Sequence, residues 1–66
     1  MPTADESERA LKLLGWSVGD LRVGRVWQVF AQRTEHRVIA RCSTQREAWA
    51  AALALAFNLE FEDGRA

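Results

Sequence analysis

The sequence predicts an α+β domain in which two helices cover one face of a three-stranded antiparallel sheet. Three observations predict it. Apolar residues have helical spacing near each end of the chain, alternating segments lie between them, and a polar break of hairpin length separates the two longest alternating segments. This order, helix then strands then helix, is typical of a two-layer architecture. At 66 residues and 48% hydrophobic content, the chain forms a single domain, residues 1–66.

The first helix is predicted over Ala4–Leu14, on an apolar stripe in its second half. Thr3 precedes it as an N-cap, and Glu6 stands at the spacing of a capping box. Gly15 follows as a stop signal, because glycine adopts the left-handed conformation that ends many helices. We therefore expect a well-delimited helix at the start of the domain.

Three strands are predicted between the helices. The first begins at Trp16–Val18, and the pattern leaves open whether it extends to Val23 through a glycine-containing turn region. Arg25–Gln32 alternates clearly and is the second strand. Arg33–His36 has the length of a hairpin connection, and Arg37–Cys42 is the third strand. These segments form an antiparallel sheet with one face on a core.

Alternation divides the two longer strands between two faces. The core face is predicted to carry Trp27, Val29, Val38, Ala40 and Cys42. The opposite face carries glutamines and arginines together with large apolar residues, namely Gln28, Phe30, Gln32, Arg37, Ile39 and Arg41. Because this second face mixes polar and apolar side chains, we expect it to face water or a partner.

The second helix is predicted from a Thr44 cap, with Ser43 as the alternative cap, to about Leu59. Its alanine-rich stripe favours close packing on the sheet; the stripe contains Ala48, Ala52, Leu55, Ala56 and Leu59. Residues 60–66 are expected to form an acidic tail, so that about 4–59 are ordered.

Composition argues against several classes of function. The single cysteine, Cys42, excludes an intramolecular disulfide and a cysteine-based zinc site, and the single histidine, His36, has no catalytic partners at a recognisable spacing. No glycine-rich phosphate loop is present in the sequence. We expect no enzyme activity, no cofactor and no metal. Without a signal-peptide pattern or a membrane-length apolar run, a cytoplasmic protein without membrane contact is expected.

The charge is uneven although the formal net charge is zero. Between Leu21 and Arg46 stand six arginines and only one acid, Glu35. Arginine suits phosphate, glutamine can bond base edges, and an exposed aromatic can stack on bases. The alternative is that high-GC codon usage and solvent-facing strands explain the arginines. The candidate nucleic-acid-binding residues are Arg25, Gln28, Phe30, Gln32, Arg33, Arg37, Arg41 and Arg46.

The element order and the segment Ser43–Ala56 resemble the double-stranded-RNA-binding domain. Ser43, Arg46 and Ala48 match the serine-basic start of that family's last helix, whereas Glu47 and Trp49 depart from it. This resemblance implies the α-β-β-β-α order and RNA binding.

A second set of residues resembles the DNA-binding domains of AP2 proteins and the N-terminal arm-binding domains of phage-type integrases. A W-x-V strand and a T-x-x-E-A-W-x-x-A helix start carry this resemblance, through Trp27, Val29, Thr44, Glu47, Ala48, Trp49 and Ala52. It implies that the sheet face lies in the DNA major groove, while the first helix is additional to the family's pattern. The motif is short and common in small bacterial domains.

The hypothesis that follows is a non-enzymatic binding module that binds nucleic acid through its open sheet face. Arg25, Arg37 and Arg41 would contact phosphates, with Gln28 and Phe30 at the bases. The alternative is a protein-interaction module or a homodimer that uses the same face or an edge strand.

Overall fold

The computed structural model describes the backbone of residues 1–65 and the side chains of residues 1–59. Three strands form one antiparallel sheet in the order β1-β2-β3, and two helices flank them in sequence. The predicted α+β fold class is thereby confirmed. The elements are α1 (Ala4–Leu13), β1 (Ser17–Val23), β2 (Val26–Arg33), β3 (His36–Cys42) and α2 (Gln45–Arg65).

Helix α1 begins at a capping box and ends at a glycine turn. The Thr3 hydroxyl accepts from the Glu6 N–H at 3.1 Å, and the Glu6 carboxylate accepts from the Thr3 N–H at 2.8 Å, so the predicted capping box is complete. At the other end Gly15 has φ +90°, and the Trp16 N–H donates to the Leu11 carbonyl at 3.0 Å. The Gly15 N–H also donates to the Lys12 carbonyl, and these two hydrogen bonds together form a Schellman motif. It returns the Trp16 ring to the core beside Leu11.

Both hairpins have two-residue loops. Residues 24–25 connect β1 to β2, and residues 34–35 connect β2 to β3. Gly24 has φ +63° and Thr34 has φ +48°, whereas the second residue of each loop has a negative φ, which is the pattern of a type II′ turn. Strand β1 therefore runs through to Val23, and Arg25, predicted as the start of the second strand, is instead a turn residue.

The core lies between the helices and one face of the sheet. Val29 and Ala31 of β2 are fully buried, and they stand between Ala40 and Val38 of β3 and the residues of β1. Small side chains on α2 allow the helix backbone to approach this sheet, as the alanine stripe predicts. The buried residues of the core are Leu11, Trp16, Val29, Ala31, Val38, Ala40, Ala48, Trp49, Ala52 and Ala56.

The helices differ from expectation at their edges. Leu13, predicted within the apolar stripe of the first helix, is 82% exposed, because it stands two residues, about 200° of helix rotation, from the buried Leu11. Leu55 of the predicted α2 stripe is 40% exposed beside Ile39 and Leu59 in a shallow groove. Helix α2 is also longer than predicted and ends at Arg65. The side chains of the expected acidic tail lie outside the described residues, as does Ala66.

Candidate nucleic-acid interface

The face of the sheet that lies opposite the helices is the candidate site. The pairing register places Gly19, Phe30 and Ile39 side by side across the three strands. Successive side chains of a strand point to opposite faces of the sheet. The residues two and four positions away from this row on each strand therefore lie on the same face as the row. We call this surface the open face; it consists of Ser17, Gly19, Leu21, Val23, Val26, Gln28, Phe30, Gln32, Arg37, Ile39 and Arg41.

Phe30 occupies the centre of the open face on the middle strand. Its ring extends over Gly19, because a Cβ built at Gly19 would lie 2.8 Å from Phe30 Cε2 and closer still to Cζ. A glycine at this position lets the aromatic ring lie across the neighbouring strand. On its other side Phe30 is paired with Ile39, and the two side chains are 40% and 42% exposed. The centre of the face is therefore apolar and accessible.

The charges of the open face lie along β3. Arg37 and Arg41 are both exposed, and Ile39 separates them. The Arg41 Nε donates to Gln28 Oε1 at 2.9 Å across the β2–β3 pair, which holds the guanidinium over the sheet. Arg37 makes no hydrogen bond or ion pair with the side chains of residues 1–59. None of the open-face residues is acidic, so the side chains of this face have a net positive charge.

Gln32 and Arg25 stand at opposite ends of the face. Gln32 is exposed and lies in the row with Ser17 and Arg37. Arg25 is exposed in the β1–β2 turn, next to the last apolar pair, Val23 and Val26. Thus the fold brings Gln28, Phe30, Gln32, Arg37 and Arg41 onto one surface and places Arg25 at its end.

Arg33 does not belong to this surface. Strand β2 continues to Arg33, which therefore has the parity of the core residues and points to the helix side. Its Nη1 donates to the Leu14 carbonyl at 2.8 Å, and its guanidinium lies 5.0 Å from the centroid of the Trp16 ring. Arg33, predicted in the hairpin connection as a candidate nucleic-acid-binding residue, is therefore the last residue of β2 on the helix side of the sheet, where its side chain binds the end of α1.

Arg46 is also separate from the open face. It lies at the start of α2 and donates from Nε to the Pro2 carbonyl at 2.9 Å and from Nη2 to the Met1 carbonyl. The adjacent helix start is occupied by its own residues, since Thr44 Oγ1 accepts from the Glu47 N–H at 3.1 Å and donates to the Glu47 carboxylate at 2.8 Å. At this end of α2, Arg46 therefore binds the first two residues of the chain, and Thr44 and Glu47 cap the helix.

Sequence reasoning missed two features of the site. Leu21 and Val23 enlarge the apolar part of the open face beside Val26, and they were overlooked because the end of the first strand was left open. The second is Asp20, which lies in the turn region predicted after Val18. Its Oδ2 accepts from Gln45 Nε2 at 2.8 Å and from Trp49 Nε1 at 3.1 Å, on the helix side of β1. Only the tertiary structure brings these residues together.

Within the described part of the chain, no helix combines the length and the apolar character of a membrane-spanning segment. The same residues form no cluster of three or more histidine, cysteine, aspartate or glutamate side chains with the geometry of a metal site. Comparison of the chain with protein-family models, with curated proteins and with solved structures finds no match.

Proposed function

We propose that this protein is a small binding module that binds nucleic acid through its open face. One observation carries the proposal: the face holds Arg37 and Arg41 and no acid, around an exposed aromatic ring. Guanidinium groups bind phosphate in a bidentate manner, and phosphate contacts supply most of the affinity of nucleic-acid complexes. Arg25, in the β1–β2 turn at the end of the face, is a further exposed cation.

The polar side chains beside the arginines suit base contacts. Gln32 is exposed between Ser17 and Arg37, and its amide group can both donate to and accept from a base edge. Gln28 shares its Oε1 with Arg41, so the pair presents the remaining N–H donors of both side chains together. Phe30 supplies an apolar surface at the centre for stacking.

A specific observation favours a second candidate function, a protein-interaction module. The apolar residues Leu21, Val23 and Val26 are exposed beside Phe30 and Ile39, and an apolar patch of this kind also suits a protein partner. Homodimerisation through this face is less favourable than binding an anion. Two copies placed face to face would enclose their arginines without an opposing carboxylate, and an unpaired buried charge costs several kcal/mol, on the order of 3–5. A protein partner would therefore have to be acidic.

The test is fluorescence anisotropy with labelled single-stranded DNA, duplex DNA, single-stranded RNA and duplex RNA at low and moderate salt. Binding is expected at low salt, with an affinity that falls as salt rises, because each phosphate contact releases condensed counterions. The variant R37A/R41A should weaken binding by tenfold or more. The slope of log affinity against log salt concentration should fall by the amount expected for about two phosphate contacts.

The matched control is R9A/K12A. Arg9 and Lys12 are exposed on α1, away from the open face, so this double variant also removes two positive charges without changing the proposed site. It should leave the affinity within about twofold. Absence of binding to all four nucleic acids at low salt would overturn the proposal. A concentration-dependent dimer in analytical ultracentrifugation that R37A/R41A strengthens would favour the interaction module instead.

A further inference from the structure

We propose that the open face selects single-stranded nucleic acid over a duplex, with the phosphates of one strand along β3 and its bases across Phe30. This preference rests on the proposed nucleic-acid function and specifies the class of ligand. Three features of the face support it: the position of the aromatic ring, the one-sided charge, and the size of the apolar surface.

The first feature is the ring of Phe30, which is held across Gly19. A side chain at position 19 would displace the ring, so glycine here preserves an aromatic surface in the middle of the sheet. An unpaired base can stack on such a surface whatever its sequence. In a duplex the bases are stacked on one another and show only their edges in the grooves, so the ring would have no base face to contact.

The second feature is the distribution of charge across the three strands. Arg37 and Arg41 lie on β3, about 13 Å apart along the strand at about 3.3 Å per residue. On the opposite edge, β1 contributes only uncharged side chains to the face, namely Ser17, Leu21 and Val23 beside Gly19. A groove of a duplex has a phosphate backbone on both sides, so an inserted sheet is best matched by cations on both edges. A single basic row matches a single backbone.

The third feature is the extent of the apolar surface. From Val26 to Gln32 the middle strand spans about 20 Å, and the three strands are about 10 Å wide. Leu21 and Ile39 lie on either side of this axis and are about as exposed as Phe30. Such an area suits a few unstacked nucleotides, near the lower end of the roughly 4–16 nucleotides that single-strand-binding folds cover.

The experiment compares labelled oligothymidylate, mixed-sequence single-stranded RNA and a mixed-sequence DNA duplex, each of about 12 nucleotides or base pairs. The proteins are the wild type and the variants F30L, F30W and G19A. Phe30→Leu keeps an apolar side chain but removes the stacking surface, and it should weaken single-strand binding about tenfold or more. Phe30→Trp should retain or strengthen it.

Gly19→Ala places a methyl group where the ring lies, so it should weaken single-strand binding while both arginines remain. F57L is the matched control, because Phe57 is exposed on α2 and undergoes the same chemical change away from the face. Circular dichroism confirms that each variant is folded before its affinity is compared.

Tighter binding of single strands, weakened by F30L and not by F57L, would support the inference. Duplex binding that is equal or tighter and depends on Arg37 and Arg41 would overturn the single-strand preference and leave nucleic-acid binding standing. Single-strand binding that is unchanged in F30L and G19A would also overturn it, since the ring would then have no role. Failure of all three probes at low salt would overturn the single-strand preference, and failure of duplex RNA as well would overturn both proposals.

Discussion

The guanidinium of Arg33 lies 5.0 Å from the centroid of the Trp16 ring, and its Nη1 donates to the carbonyl of Leu14 at 2.8 Å. These two contacts connect the last residue of β2 to the turn that ends α1. A carbonyl at a helix end has no partner within the helix, so an external donor satisfies it. Arg33 therefore stabilises the junction between helix and sheet.

Replacement of Arg33 by alanine should lower the free energy of unfolding by about 1–2 kcal/mol, because one hydrogen bond and one cation–π contact are lost. Arg33→Lys should recover only part of this, since an ammonium lacks the planar fork that serves both contacts. Urea unfolding followed by circular dichroism measures the loss.

Nucleic-acid affinity provides the complementary measurement on Arg33. At a temperature where the variant is folded, R33A should bind labelled oligonucleotides within about twofold of the wild type, in contrast to R37A/R41A. A large loss of affinity in R33A with unchanged stability would contradict the structural role of Arg33.

The two hairpin loops offer a paired prediction. Thr34 is β-branched and has φ +48°, whereas Gly24 has φ +63° in the equivalent position of the other loop. Thr34→Gly should stabilise the protein by about 0.5–1 kcal/mol, because relief of the left-handed strain exceeds the added unfolded-state entropy and the loss of the local bond from Thr34 Oγ1 to the Arg33 carbonyl.

Gly24→Ala is the matched change in the opposite direction. A Cβ at Gly24 meets no atom within 4 Å, so the cost is conformational alone and should be about 1 kcal/mol. Thermal unfolding of both variants gives the comparison, with about 4–8 °C expected per kcal/mol for a domain of this size. Stabilisation by G24A, or destabilisation by T34G, would show that these loops do not carry the strain that their φ angles indicate.

The order of elements was predictable because it depends on local patterns. The capping box at Thr3, the glycine stop at Gly15 and the alternation of Val26–Arg33 each reflect chemistry within a few residues. Most of the open-face residues followed from the same alternation. Their role as a binding site stays a prediction.

The contacts that sequence alone did not reveal join distant segments. If the second strand had been predicted to end one residue later, the alternation of side chains would have placed Arg33 on the helix side of the sheet. Arg46 gave no such signal, as its partners Met1 and Pro2 are 45 and 44 residues away. Asp20 likewise meets Trp49 only because α2 folds back over the sheet, where it packs on β2 and β3.

Asp20 gives a third prediction. Trp49 is buried, and its indole N–H donates to Asp20 Oδ2 at 3.1 Å. Asp20→Ala leaves this buried donor unpaired and should cost about 1–3 kcal/mol of stability. Asp20→Asn keeps a carbonyl oxygen at the same position and should cost less than half as much.

Chemical denaturation of both Asp20 variants separates the roles of shape and hydrogen bonding. Gln45→Ala serves as the control, because it removes the other donor to the same oxygen from an exposed position and should change stability by less than about 0.5 kcal/mol. Equal stability of D20A and D20N would show that the oxygen acceptor at position 20 does not stabilise the packing of Trp49.

The ionisation of Glu6 should make the stability of the protein depend on pH. The backbone N–H of Thr3 and the Thr3 side chain lower the pKa of the Glu6 carboxyl, and the positive charges of Arg46 and Arg9 act in the same direction. A carboxyl whose pKa is lower in the folded state contributes stability above its ordinary pKa and loses that contribution as the pH falls through the folded pKa. The wild type should therefore exceed E6Q in stability at neutral pH, and the difference should shrink as the pH falls below the ordinary pKa of glutamate.

Because the glutamine carbonyl can still accept from the Thr3 N–H, the comparison isolates the effect of the charge. Unfolding curves recorded at intervals from neutral to acidic pH measure it, and parallel curves for the two proteins would show that ionised Glu6 contributes nothing to the cap.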